Sequence, residues 1–384
     1  MAALIHPRAL AAVAVVAVVA AVGLIAPWLG VRAVRAQWTY PVRRGQVGRP
    51  VAVRVTLRSV SPWPVFGLLV RGGWTDPDSG AGDPVTVAVP RVAARGVREV
   101  VTTVVPTRRG VFPAHPPTLA CGFPFGLRQV SAPADVLGRV LVWPEIVPLA
   151  AAARDAGGAE GGVVVRSPRS GDQGEFVGTR PYRAGEPLHR IHWKQSARHN
   201  RLIAVEARAT SRRAVVLVVE TDPQVHTDRD GTSSLERTLS VGASLAAAFA
   251  DTGVHVTLTF ETGQVFSAQN RPQLALALDA MAHLDARAGV AQDTLLEHLP
   301  ARLTRGLIPL VVTTVAGWRR AGKGGWTGRR QFLVIDERDR RTAKSAARPP
   351  GLPRTVPVVP LDDPEHRALR HAWKEVAGGI HAVV

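Results

Sequence analysis

From Ala9 to Gly30 the chain reads ALAAVAVVAVVAAVGLIAPWLG, an apolar run without a charge, and nothing else restricts the fold as much. Wound as a helix, such a run matches the hydrocarbon thickness of a bilayer, roughly 30 Å. Pro27 interrupts it only near the end, and Trp28 sits where an interfacial aromatic belongs. A secretory signal is the rival reading, because Val34-Arg35-Ala36 has the form of a cleavage site. The apolar part is too long for that, so a retained transmembrane anchor over residues 9–30 is expected. Arg8 precedes the run, whereas Arg32, Arg35, Arg43, Arg44 and Arg49 follow it, and the first acidic residue is Asp76. The positive-inside rule then puts the bulk of the chain in the cytoplasm, behind a single span.

The formal net charge of +18 over 384 residues would ordinarily suggest nucleic acid. Only Lys194, Lys323, Lys344 and Lys374 are lysines, and the arginines are spread along a chain rich in Ala, Val, Gly and Pro. That usage fits codon bias as much as a binding surface, and with the arginines unclustered no nucleic-acid partner is expected. An anionic bilayer nearby is the easier partner for the excess charge. Cys121 is the only cysteine, which excludes an intrachain disulfide and a cysteine-based metal site.

Residues 37–146 read as an all-β sandwich domain. Val51, Val53, Val55 and Leu57 alternate with Ala52, Arg54, Thr56 and Arg58, the period of a half-buried strand. Val85, Val87 and Val89 repeat that pattern after a turn-rich stretch, and Val100 to Val105 gives another strand. Residues 150–170 form a small-residue linker.

The linker delivers the chain to GDQGEFVGTRPYRAGEPLHRIHWKQSARHNRL, residues 171–202, where Arg180, Arg183, Arg190, Lys194 and Arg198 crowd among Glu175, Glu186, Tyr182 and Trp193. Two outcomes suit that composition. The arginine forks pair with Glu175 and Glu186 and stack on the aromatics as a rigid brace, or the cations face outward toward an anionic partner. A helical turn from Ile191 to Arg198 would align Arg190, Lys194 and Arg198 on one face, with Trp193 and Ala197 beside them.

The string Gly174-Glu175-Phe176, Arg180, Tyr182, Gly185-Glu186, Arg190, Ile191, Trp193-Lys194, Ala197-Arg198 and Leu202 resembles the signature of the bacterial family called domain of unknown function 58. Thr107-Arg108-Arg109-Gly110-Val111-Phe112 and Phe123-Pro124-Phe125-Gly126-Leu127 are similar to two further signatures of that family, the second without its usual aspartate at Phe123. Thr179, Glu186 and His192 stand where the motif usually has a leucine, an aspartate and an acidic or amide residue, which shifts its balance toward positive charge. The resemblance implies a membrane-anchored protein with a β-rich domain, this motif, and a von Willebrand factor type A-like domain. It also implies a MoxR-type AAA+ ATPase as partner. Glu175, Arg180, Tyr182, Glu186, Arg190, Trp193, Lys194 and Arg198 are the motif positions that would serve as brace or contact.

From residue 203 to 384 the pattern becomes α/β, as in a Rossmann-like domain. Val215 to Glu220, Val254 to Phe260, Ile308 to Val315, Gln331 to Ile335 and Val356 to Leu361 read as buried strands. Ser233 to Asp251, Arg271 to Ala288, Thr294 to Leu303 and Pro364 to Val376 read as helices, the first with Leu235, Leu239, Val241 and Leu245 toward one side. Alternation of this kind means a parallel sheet covered on both faces. Arg338 to Arg354 reads as a basic, solvated loop.

Ligands of such sheets bind beyond the carboxyl ends of the strands, which singles out the residues after Glu220. There the type A fold carries a metal-ion-dependent adhesion site, an aspartate followed by two serines at alternate positions. This chain has Glu220, Asp222 and Gln224. Glu220 and Asp222 remain possible oxygen ligands for magnesium, with Asp228 or Asp230 in support, but the hydroxyls are gone, and a decayed site without a cofactor is expected. His189, His192 and His199 have no structural zinc spacing. Gly322-Lys323-Gly324-Gly325 lacks the hydroxyl residue of a phosphate loop, and Gly242-Ala243-Ser244-Leu245-Ala246 lacks the final glycine of a nucleophile elbow. A non-enzymatic, membrane-anchored, protein-binding adaptor is therefore the expectation. A divalent-cation-dependent ligand-binding or hydrolytic α/β domain is the alternative.

Overall fold

The computed structural model describes residues 7–74, 85–149, 175–208, 214–229, 232–260, 264–284, 309–323, 331–338, 349, 351–363 and 365–377. The expected linker, the start of the charged motif, the expected helix Thr294 to Leu303, Asp230 and most of the basic loop lie outside them. Two compact units emerge: Met1–Val147 with Asp228–Ala243 and Ala275–Asp285, and Pro148–Thr227 with Ser244–Leu274 and Ala286–Val384.

The first unit opens with the apolar helix α1 (Pro7–Arg32), which continues through Pro27. Its stretch Ala11–Arg32 is long and apolar enough to cross a membrane. Residues 11–19 are exposed, whereas Gly23, Pro27, Gly30 and Val31 are buried, which places one stripe of the last turns against the β strands of the same unit. A Cβ on Gly30 would touch Cys121 Sγ and Val65 Cγ1, both at 3.4 Å.

After α1 the chain enters Val34–Thr39, an interior strand of a sheet ordered Asp135–Leu137, Val34–Thr39, Val51–Ser59, Val97–Val104. A second sheet runs Thr86–Val92, Val65–Arg71, Thr118–Cys121, Val130–Pro133. A small third sheet joins Arg44–Gln46, Val140–Trp143 and Gly110–Phe112. The alternation read in Val51 to Leu57 is realised: Val51, Val53, Val55 and Leu57 are buried while Arg54 and Arg58 face solvent. They share one core with Leu68, Val70, Val89, Leu119, Trp38 and Trp74 from the other strands. Cys121 belongs to that core, and burial pushes its thiol up.

In the second unit, Glu175–Pro181 and Ile203–Arg208 form an antiparallel hairpin with an irregular register between Phe176 and Gly178. Between its arms lie a 3₁₀ turn (Leu188–Arg190) and helix α2 (Trp193–His199). The main sheet has six strands, β1 (Ala214–Val219), β2 (His255–Phe260), β3 (Val265–Ala268), β4 (Leu310–Thr314), β5 (Gln331–Asp336) and β6 (Val358–Pro360). Their order is β3-β2-β1-β4-β5-β6, parallel except for β3. This is the doubly wound order, with its reversal between β1 and β4. The sequence reading missed β3, whose exposed Val265 and Ser267 lack the continuous apolar signal of the inner strands.

Helices α3 (Ser234–Asp251), α4 (Arg271–His283), α5 (Val315–Lys323) and α6 (Arg367–Ala377), with a short antiparallel strand pair, Asp228–Arg229 and Thr232–Ser233, complete the described elements. Helix α3 corrects the one-sided expectation, since nearly every residue from Ser234 to Ala250 is buried. Its small residues Gly242, Ala243, Ser244, Ala246, Ala247 and Ala248 permit that. Helix α5 was not anticipated; its tryptophan and two arginines hid its length in a glycine-rich context.

Candidate functional site

Strand β1 ends where the sheet order reverses, and the next three residues, Glu220, Thr221 and Asp222, are all buried. The Glu220 amide donates to Val312 O at 2.9 Å, so the backbone leaves the sheet only after that residue. Asp222 caps a 3₁₀ turn (Pro223–Val225), its Oδ1 accepting from the Gln224 amide at 2.9 Å. Its Oδ2 accepts from Arg320 Nη1 at 2.5 Å, and the same nitrogen reaches Gln224 Oε1 at 3.3 Å. Glu220 Oε2 accepts from the Thr313 hydroxyl at 3.2 Å.

The neighbouring residues of β4 and α5 fix this corner. Thr314 caps α5, accepting from the Gly317 amide at 3.2 Å and donating to Val225 O at 2.7 Å. A Cβ on Gly317 would fall 2.1 Å from Thr313 Oγ1 and 3.0 Å from Glu220 Oε2, so only glycine lets the helix start pass this close to the carboxylate. One strand further, Asp336 is held by both arms of the Arg338 fork at 3.0 and 2.9 Å, which raises the arginine's own pKa. Each buried aspartate at this edge thus has a guanidinium from its own unit. The sequence reading found Glu220 and Asp222; it missed Thr313, Gly317, Arg320 and Arg338. The Thr313-Thr314 pair closing an apolar strand was the available signal for the first.

In the charged segment, Arg180 Nη2 donates to Glu186 Oε1 at 2.6 Å and its Nη1 to Oε2 at 3.3 Å. Tyr182 Oη donates to Glu186 O at 2.9 Å. These contacts hold the Gly185 turn, where the positive φ of +97° requires a glycine. The brace is therefore built from Arg180, Tyr182 and Glu186. The Glu175 backbone pairs with Arg208.

Arg190, Lys194 and Arg198 do not share a helical face. Arg190 ends the 3₁₀ turn, Ile191 then bridges to Ala204, and α2 begins only at Trp193. The His192 ring explains the break, because its Nδ1 accepts from the Gln195 amide and caps the helix from outside. Buried Ser196 fixes α2 to the hairpin, its Oγ accepting from the Ile203 amide at 2.9 Å. Lys194 and Arg198 do share a face, four residues apart. They are exposed, as are Leu188 at 66%, Trp193 at 64% and Leu202 at 46%.

The hydrogen bond from Arg180 holds the Glu186 carboxyl below its ordinary pKa. A depressed carboxyl stabilises the fold above its unfolded value and loses that contribution as pH falls through the folded one. Protection of the Glu175–Arg208 hairpin amides, taken relative to their intrinsic exchange rates, should accordingly fall in acid, and Glu186→Gln should show lower protection at neutral pH with a flatter pH dependence. A wild-type profile unchanged down to the lower value would exclude the brace.

In the first unit, Arg109 of the TRRGVF stretch is a buried anchor. Its side chain is only 5% exposed and pairs with Glu236. Its Nε and Nη2 donate to Met281 O at 2.8 Å and Leu284 O at 2.5 Å, carbonyls at the C-terminal end of α4.

No family model matches this chain, and no curated protein does. Among solved structures, part of the chain is similar to the CARDB domain of a Pyrococcus furiosus protein in complex with di-metal ions, at 12% identity and TM-score 0.20, covering 28% of this chain and 91% of that one. Another likeness is to a GH20 exo-β-N-acetylglucosaminidase from Vibrio harveyi, at 12% identity and TM-score 0.20, covering 56% and 37%. A third, red sea bream transglutaminase, is 21% identical with TM-score 0.19 over 28% and 14%.

Proposed function

We propose that this protein is a membrane-anchored, non-enzymatic adaptor, in which a degenerate von Willebrand type A-like α/β domain presents the Leu188–Leu202 surface to a protein partner. The observation that carries the reading is the exposed Trp193 on α2, flanked by Leu188, Leu202, Lys194 and Arg198. Tryptophan and arginine are the residue types that dominate binding energy, and a bare tryptophan on a helix fixed by Ser196 gains little for the folded chain alone. On this reading the motif divides its work between different residues: Arg180, Tyr182 and Glu186 hold, whereas Trp193, Lys194 and Arg198 reach outward.

The type A-like assignment draws on the doubly wound strand order with an antiparallel edge, and on the acidic corner after β1. The decayed state of that corner draws on Arg320, a guanidinium at the carboxylate a cation would otherwise neutralise. Retention of α1 draws on Val34–Thr39: cleavage after Ala36 would cut through an interior strand with buried Val34 and Ala36. The motif resemblance points to a MoxR-type AAA+ ATPase as the partner.

Capture of such an ATPase by the full chain in detergent, with cross-linking, tests the reading. Wild type should retain it, and Trp193→Ala combined with Arg198→Glu should weaken capture about a thousandfold if each change costs the ~2 kcal/mol of a typical hot spot. The melting temperature should stay unchanged. Equal retention by both proteins, or none by either, would count against this surface.

A further inference from the structure

We propose that the Phe123–Leu127 loop is a second membrane contact, dipping into the same leaflet as the C-terminal half of α1 and taking lipid acyl chains as its ligand. The inference rests on α1 being a retained anchor. Its starting point is an oddity of the first unit: Phe123, Phe125 and Leu127 are 45%, 53% and 58% exposed, in a five-residue loop, Phe-Pro-Phe-Gly-Leu, with no polar side chain. Soluble loop tips are not built so.

The loop lies against the span. A Cβ on Gly23 would sit 2.6 Å from Leu127 Cδ1 and 3.2 Å from Phe125 Cδ2, so glycine there admits these two side chains to the helix surface. Trp28 gives the depth scale. It lies under the Arg32 guanidinium, 4.2 Å from its ring centroid, the pairing of an aromatic and a cation at a headgroup level. Gly23 is five residues further into the apolar run, about 8 Å at the helical rise. Phe125 and Leu127 at the level of Gly23 therefore fall on the hydrocarbon side of Trp28, within the depth reached by interfacial insertions, about 5–10 Å.

The flanks agree. Phe66 packs on Phe123 with ring centroids 5.4 Å apart, and the exposed Arg91 lies 5.9 Å over Phe66. Arg128 follows the loop directly and is exposed. Both guanidiniums are placed to meet phosphate while the rings enter the acyl region. A loop at that depth must satisfy its backbone internally, and the Gly126 amide donates to Gly122 O at 2.8 Å. At the helix end, the Val60 amide donates to Ala33 O, and Val60 and Trp63 are 62% and 75% exposed, suiting the shallower interface.

The full chain, with Cys121→Ser to remove the native thiol, would be spin-labelled at Phe125→Cys and reconstituted in nanodiscs containing anionic lipid. Collision with oxygen and with a water-soluble nickel chelate would then be compared with labels at Val15→Cys, on the span, and Val97→Cys, on an exposed strand. The Phe125 label should gain oxygen accessibility and lose nickel accessibility, as the Val15 label does; Leu127→Cys gives a second reading should Phe125→Cys fail to fold. Nickel accessibility at the loop equal to that at Val97, with Val15 lipid-buried, overturns the loop contact and leaves the anchor standing. Nickel accessibility at Val15 as well overturns both. A loop label shielded from both relaxants is covered by protein, which also overturns the proposal.

Discussion

Replacing Arg320 with alanine is expected to lower stability by about 2 kcal/mol, a drop in melting temperature of roughly 4–8 °C for a unit of this size. Asp222 is the reason: its side chain is 7% exposed, so without the guanidinium its charge is left nearly dry. The full penalty for breaking a buried pair is larger, but Arg320 is 33% exposed and water takes over part of its role. Asp222→Asn in the Arg320→Ala background should recover much of the loss, because the uncompensated charge disappears with it. Strict additivity of the two changes would mean the pair is not coupled. The same variant tests the proposed decay of the cation corner. Millimolar magnesium should raise the melting temperature of Arg320→Ala, where the Asp222 carboxylate has lost its guanidinium, and leave wild type unmoved. Magnesium stabilisation of wild type would reverse the functional reading in favour of a cation-dependent domain.

Arg109→Ala carries the second large effect, about 3 kcal/mol. The guanidinium serves three acceptors at once, and its removal strips a donor from the Met281 and Leu284 carbonyls as well as from Glu236. Those carbonyls end α4, where a cation also meets the negative pole of the helix. Arg109→Lys should recover only part of the loss, since an ammonium cannot span the three sites. Calorimetry of the full chain in detergent would measure both variants; Arg109→Ala melting with wild type would refute the anchor.

Much of the architecture is legible in the residues because hydrophobic period is a local property. Val51 to Leu57 alternates and lies half-buried; Val215 to Val219 is uniformly apolar and becomes the central β1. The apolar run from Ala9 likewise forms one helix. The edge strand β3 and the short α5 escaped because neither carries a long periodic signal. In the charged segment the residue types announced a brace but not its members. Helical spacing grouped Arg190 with Lys194 and Arg198, whereas His192 caps α2 and leaves Arg190 outside it.

Sequence alone determined the order of the long periodic elements, the acidic residues after β1, and the excess of arginine over every other ion. Tertiary structure decided which arginine meets which carboxylate: Arg320 reaches Asp222 across 98 positions, and Arg109 meets Glu236 across 127. Periodicity reports what a residue does within its own helix or strand. Pairing of long, flexible, charged side chains depends on where distant elements end, and Gly317 shows the limit, since its meaning lies in the space beside Glu220 and nowhere in its neighbours along the chain.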